Sequence, residues 1–276
     1  MPIDQKTIRN LDWRSLLFRI GGKRSRECNN EGEVLHIFVM LESSTLHFYF
    51  NPNCPYAQRS WMTLLELGID FKPVEIALGK DNKTEWYLSM NPNGTVPTIK
   101  HGETIVYESS VVNEYLCEVF DGREATLMPS KSAARAFLRT LILRCDAKFV
   151  KLAYSYLSHK RQNNPAQDDQ LKTQLIEELS FLNETIGKSG GTYFLGDILS
   201  LVDLAYIPFF ERQIIALSVW KNFEIKDKNL PYLNKWLDSM FDRESFIQTK
   251  SEPEKIKELY SLFLGKDYFK KIGIAE

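Results

Sequence analysis

The chain has 276 residues, 43% of them apolar and 26% charged, which is enough for one or two packed domains and too apolar for general disorder. Thirty-five Lys and Arg stand against 36 Asp and Glu, so the broad positive field needed for non-specific nucleic-acid binding is absent. Four cysteines are too few for a disulfide scaffold. They fit a reducing, cytoplasmic setting, in which a standout cysteine is read for chemistry.

Residues 1–44 are expected to form a flexible extension. The first thirty residues carry seven basic and three acidic side chains, with Ile8, Leu11, Leu16, Leu17 and Ile20 able to form one apolar stripe. Organelle targeting is an open alternative, although a transit peptide would be poorer in Asp and richer in Ser. A start of translation at Met40 is another. The most apolar long stretch, Tyr193 to Phe210, contains Asp197, Asp203 and Pro208, so no membrane span is expected. The run Val34 to Leu41 follows Glu31 and Glu33 rather than the basic flank of a signal peptide.

Thr45 to Phe50 reads as a strand that ends at the turn residues Asn51-Pro52-Asn53. Pro55 suits the first turn of a helix. Trp61, Leu64 and Leu65 continue a helical pattern to Leu67, and Gly68 fits its stop. Phe71 to Leu78 reads as a second strand, which makes a parallel crossover unit. A short helix over Thr84 to Met90 precedes Asn91-Pro92-Asn93-Gly94, and a third strand starts at Val96. His101-Gly102 turns it into Thr104 to Tyr107, and Ser109 to Phe120 is helical. The order β-α-β-α-β-β-α marks a small α/β domain over residues 45–122. Residues 123–131 read as a linker and 132–264 as an all-helical domain, followed by a tail over 265–276. The helical half is expected as Ser132 to His159, a polar break over Lys160 to Asp169, Gln170 to Ile186, Ser200 to about Val219, and Pro231 to Met240. Ser200-Leu201-Val202-Asp203 is a capping box with Asp in the place of Glu.

Cys54 is the sharpest chemical feature. It lies at the predicted N-cap, where unpaired N–H groups and the helix dipole favour a thiolate, and its pKa is expected to be depressed. Arg59 is expected to add positive charge one turn on. Position 57 is Ala, so no C-x-x-C partner exists, and a mixed disulfide on Cys54 must be resolved by an outside thiol. Cys117 and Cys145 read as packing residues, and Cys28 lacks the same setting. The four histidines are scattered without ligand spacing, so no metal is expected. Pro97 enters a strand; a cis Val96–Pro97 bond would present the Val96 backbone to a peptide-like ligand. Glu108-Ser109 sits at a strand-to-helix junction, suited to an ammonium and a carboxylate respectively.

These motifs in order, followed by an all-helical half, resemble the cytosolic glutathione transferases, and most closely the omega class, with the lambda and dehydroascorbate reductase classes near. The resemblance rests on Cys54-Pro55-Tyr56-Ala57-Gln58-Arg59, Asn82-Lys83-Thr84-Glu85-Trp86, Asn91 to Pro97, Tyr107-Glu108-Ser109 and Gly196 to Asp203. It covers roughly Thr45 to Leu264. It implies a thioredoxin-like N-terminal domain, an all-α C-terminal domain, glutathione as co-substrate and a homodimer. By position, Cys54 would be the catalytic thiol, supported by Tyr56 and Arg59. Val96 and Pro97 would meet the cysteinyl backbone of glutathione, Glu108 and Ser109 its γ-glutamyl end, and Lys83 its glycyl carboxylate. The Lys83 assignment rests on the resemblance alone, and the preceding segment Gly79 to Asn82 is slightly longer than usual.

The function expected is glutathione-dependent thiol transfer, with dehydroascorbate reduction and deglutathionylation both compatible. A conjugating transferase is an alternative, with Tyr56 or Tyr49 as hydroxyl donor. A third is a non-enzymatic binding or membrane-associating protein like the chloride intracellular channels, which share the fold but depart at the acid-Ser pair. The second substrate, a small molecule or a protein thiol, is expected between the domains, with Tyr154, Tyr156, Tyr206, Arg212 and Trp220 as candidate contacts.

Overall fold

The computed structural model describes residues 45–120, 126–226 and 229–275. The expected extension over 1–44, with its targeting and start-site alternatives, lies outside the described residues, as does Cys28.

β1 (Leu46–Phe50) alternates buried and half-buried side chains, the period-2 signature of a strand with one face in a core. Phe48 stacks on Phe50 with ring centroids 5.1 Å apart and meets Phe71 edge-on. α1 (Pro55–Glu66) starts with Pro at its first turn, and β2 (Lys72–Glu75) pairs parallel to β1. A 3-10 turn (Asp81–Lys83) leads into α2 (Glu85–Met90). β3 (Thr98–His101) and β4 (Thr104–Tyr107) form a hairpin, with β3 antiparallel to β1, and α3 (Ser109–Val119) closes the unit. The sheet order is β2-β1-β3-β4, the thioredoxin-like arrangement expected from the sequence.

β2 is shorter than the expected Phe71 to Leu78. The Ile76 N–H still pairs with the Phe50 carbonyl at 2.7 Å, but the Ala77 N–H turns to the Asp81 carboxylate. Leu78 is thereby left outside the sheet.

The second half comprises α4 (Ser132–Arg144), a π-helical turn (Cys145–Val150), α5 (Lys151–Ser158), α6 (Pro165–Ser189), α7 (Leu201–Lys221), α8 (Pro231–Phe241), α9 (Glu244–Thr249), α10 (Pro253–Gly265) and α11 (Tyr268–Lys271). The single long helix expected over Ser132 to His159 is divided by the π turn, whose first residues Cys145 and Asp146 both meet Arg59. α6 begins inside the expected polar break because Asn164 caps it, accepting the Gln167 N–H at 3.2 Å, and Pro165 fills its first position. The residues expected as a tail form α11 and bury Phe269 and Ala275.

α7 is buried on nearly every side. Its capping box forms as expected: the Asp203 carboxylate accepts the Ser200 N–H and Oγ–H, both at 2.8 Å. Asp203 also accepts the Phe194 N–H at 3.1 Å and the Trp236 indole N–H at 2.8 Å. One buried carboxylate thus joins the loop before α7, the helix itself and α8. Removing an acceptor shared by four buried donors leaves each of them unsatisfied. Asp203→Ala is expected to cost about 3–5 kcal/mol, read as a lower urea midpoint at an unchanged denaturant slope.

Candidate functional site

The turn before α1 sets the position of Cys54. The Asn51 side chain accepts the Asn53 N–H and donates to the Ile76 carbonyl, both at 3.0 Å, and the Cys54 N–H bonds back to the Asn51 carbonyl. Cys54 is the N-cap of α1, in extended backbone. Its thiol donates to the Val96 carbonyl at 3.8 Å. The Val96–Pro97 bond is cis, and the Val96 N–H has no acceptor among the described residues.

The loop carrying Val96 is held from behind. Asn91 Nδ2 donates to the Thr95 carbonyl and Thr98 Oγ1, each at 2.9 Å, and the Tyr87 hydroxyl donates to the Thr95 carbonyl at 2.7 Å. Asn82 Nδ2 reaches the Gly94 carbonyl at 2.6 Å. Gly94 has φ +58°, and a Cβ there would lie 2.8 Å from the Asn82 carbonyl, so only glycine fits. Glu108, between β4 and α3, also has a positive φ of 70°, uncommon for a residue with a side chain. Its carboxylate accepts Asn93 Nδ2 at 2.9 Å.

A cavity of about 900 Å³ opens between the sheet and the helices. Cys54, Tyr56, Lys83, Val96, Pro97, Glu108, Ser109 and Tyr154 all line it. The fold therefore gathers every residue expected from the sequence to contact glutathione around one cavity. The opposite wall is aromatic and includes Phe209, Tyr260, Phe263, Tyr268 and Phe269. Tyr154 and Tyr260 share a hydrogen bond between hydroxyls 2.5 Å apart.

Four expectations need correction. Tyr206 is a core residue, fully buried with its hydroxyl donating to the Leu141 carbonyl. Trp220 does not reach the cavity; it stacks behind Tyr260 with ring centroids 6.5 Å apart. Tyr156 is likewise buried, under the Lys221 ammonium. Arg59 is not a free charge beside the thiol: it is buried, bonded to Asp146 at 2.8 Å and to the Ala205 carbonyl at 2.9 Å. The C-terminal wall from Ser251 to Ile274 was missed in the sequence. The Pro253 helix start and the Tyr268-Phe269 pair are the signals that could have found it.

The thiol's ionisation also departs from expectation. Burial pushes the Cys54 pKa above its ordinary 9.0, while the Ala57 and Tyr56 N–H groups and the Arg212 and Arg59 charges pull it down without prevailing. Cys54 keeps partial solvent exposure, but its immediate surroundings are desolvated. The buried Cys145 thiol is also pushed up, chiefly by desolvation.

Family models described as the N-terminal and C-terminal domains of glutathione S-transferase match residues 53–119 and 145–244. The chain belongs to the glutathione S-transferase family. This transferase is 31% identical to glutathione S-transferase omega-1 of Sus scrofa over 76% of this chain and 83% of that one. It is 32% identical to glutathione S-transferase L3 of Arabidopsis thaliana, over 80% and 88% of the two chains. The crystal structure of glutathione transferase Omega 3C from Trametes versicolor superposes with a TM-score of 0.70 at 25% identity, covering 84% of this transferase and 96% of that chain. Among the described residues of the transferase, no helix is long and apolar enough to cross a membrane. None of them form a group of three or more metal-ligating side chains.

Because only the thiolate attacks carbon electrophiles, alkylation of Cys54 in the ligand-free transferase should accelerate as pH rises. The raised pKa leaves Cys54 of the ligand-free protein mainly protonated at neutral pH. Iodoacetamide labelling followed by peptide mass spectrometry should show an inflection above that of an ordinary exposed thiol; an inflection near neutrality would contradict the dominance of burial.

Proposed function

We propose that this transferase is a glutathione-dependent thiol transferase or reductase that works through a single thiol, Cys54. The observation that carries the reading is the placement of Cys54 on the cavity floor, 3.8 Å from the Val96 carbonyl, with Ala57 rather than a second cysteine one turn on. The wall around it suits glutathione. The Val96 N–H and C=O can pair with the tripeptide's cysteinyl backbone. The Glu108 carboxylate faces an ammonium, while Ser109 at the start of α3 faces a carboxylate. Lys83, exposed at the cavity rim, offers a cation for the second carboxylate.

In the exchange, the Cys54 thiolate attacks the glutathionyl sulfur of a mixed disulfide. A Cys54–glutathione disulfide forms, the substrate S–S bond breaks, and the substrate thiolate leaves and takes up a proton. A second glutathione thiolate then attacks the glutathionyl sulfur, releasing oxidised glutathione and restoring Cys54. Reduction of dehydroascorbate has the same redox balance: two glutathiones supply two electrons and two protons and leave as their disulfide. Exchange through a free Cys54 thiol places the protein in a reducing, cytoplasmic setting.

Purified protein is expected to turn over a glutathionyl mixed disulfide, and Cys54→Ser to lose that turnover while still retained on immobilised glutathione. Full activity in Cys54→Ser would remove the monothiol reading. Loss of turnover in both proteins with glutathione still bound would favour conjugation, and failure to bind at all a non-enzymatic role.

We also propose a homodimer. Val111 on α3 and Leu143 on α4 are 53% and 71% exposed on adjacent helices bridged by the Arg139–Glu114 ion pair at 2.6 Å, an apolar surface with charges beside it. Sedimentation equilibrium is expected to give twice the chain mass, and Leu143→Glu to reduce it to one; a monomer in the unmodified protein would exclude this.

A further inference from the structure

Arg212 reaches the cavity from the middle of α7, yet its side chain is only 2% exposed. Its Nη1 donates to Gln58 Oε1 at 2.6 Å, to the Pro208 carbonyl at 2.7 Å and to Glu211 Oε2 at 2.9 Å. Its Nη2 donates to the Asn53 carbonyl at 3.3 Å and to Ser251 Oγ at 3.1 Å. Glu211 Oε1 accepts the Ser251 N–H at 2.7 Å. One guanidinium therefore ties together α1, α7, the root of α10 and the peptide that leads into Cys54.

Two features separate Arg212 from a substrate-binding arginine. Its terminal N–H groups are already engaged by protein acceptors, so it has none to offer a ligand without breaking the seam. Its charge also acts on the thiol, although it is paired with Glu211 at 2.9 Å. Arg59 is neutralised by Asp146 at 2.8 Å, and Arg212 outweighs it among the charges that act on Cys54.

We propose that Arg212 is a positioning residue for Cys54: it fixes the Asn53–Cys54 peptide at the seam between sheet and helices and holds a positive charge towards the thiolate, rather than recognising the second substrate. The proposal rests on Cys54 being the reactive thiol. The Arg-for-Arg59 exchange of roles also explains why the charge comes from a residue 158 positions away in sequence rather than from the same helix.

The test is the pH dependence of Cys54 alkylation by iodoacetamide in the full chain, followed on the Cys54 peptide, for the native protein, Arg212→Met and Glu211→Gln. The other groups around the thiol are Tyr56 and Arg59 on α1, Tyr87 on α2, Asp146 on the π turn, Tyr154 on α5, Tyr260 on α10 and Tyr268 on α11. All are unchanged in both variants. Arg212→Met is expected to move the inflection up by about one pH unit, so that alkylation at a fixed pH below it slows roughly tenfold. Glu211→Gln removes the negative charge but keeps only one of the two oxygens that accept from Ser251 and Arg212, and is expected to speed alkylation. A folded Arg212→Met with the native profile would overturn the proposal. If Arg212→Met does not fold, an unchanged or slower profile in Glu211→Gln would overturn it. Labelling needs no glutathione and no turnover, so this result stands apart from the activity of Cys54→Ser.

Discussion

A buried guanidinium must find a full set of acceptors or the chain does not fold around it, and Arg59 finds its set across the seam of this transferase. Its Nε donates to the Ala205 carbonyl of α7, its Nη2 to Asp146 on the π turn, and its Nη1 to Ser109 at 3.4 Å. Arg59 lies in the middle of α1, so these bonds lock α1 against the helical half. α1 in turn carries Cys54 at its N-terminus. The position of the thiol relative to the cavity is a consequence of this seam as much as of the sheet beneath it.

The same seam sets the chemistry. Packing α1 between α3 and α7 desolvates the thiol, and desolvation opposes the charged form more strongly than two N–H groups and two arginines favour it. A helix N-terminus by itself would have lowered the thiol pKa. Here that lowering is a correction to a larger opposing effect. Ligand entry changes the solvation of the cavity, so the reactivity of Cys54 is tied to what occupies the wall formed by Val96, Glu108 and Ser109.

The aromatic wall opposite shows how the end of the chain completes the site. Phe269 packs on Tyr154 with centroids 4.4 Å apart, and Tyr268 stacks on Phe263 at 4.3 Å. Ser251, at the root of this segment, is held by Arg212 and Glu211. The segment is thus attached to the same residues that flank the Cys54 loop, and the cavity is bounded in part by side chains that local sequence patterns placed in a tail.

Local signals carried much of this protein. The alternation of Leu46, Phe48 and Phe50, the Ser200–Asp203 box, the proline at the start of α1 and the glycine at position 94 each depend on neighbours a few residues away. Their consequences, the strands, the caps, the cis-proline loop and the N-cap placement of Cys54, were therefore readable from the sequence. So were the cavity residues Cys54, Val96, Glu108 and Ser109, because each sits at an element junction with its own turn chemistry, whereas Lys83 was placed by the resemblance alone. What tertiary structure alone decided are the long-range partnerships. Asp146 claims Arg59 across 87 residues, Arg212 claims the Asn53 carbonyl across 159, Tyr206 is sealed in the core and Tyr154 faces the cavity. Helical spacing puts an aromatic residue on a face but does not say whether that face meets protein or open space. The ionisation of Cys54 belongs with these, because the number of atoms packed around a thiol is a property of the assembled seam and of no segment within it.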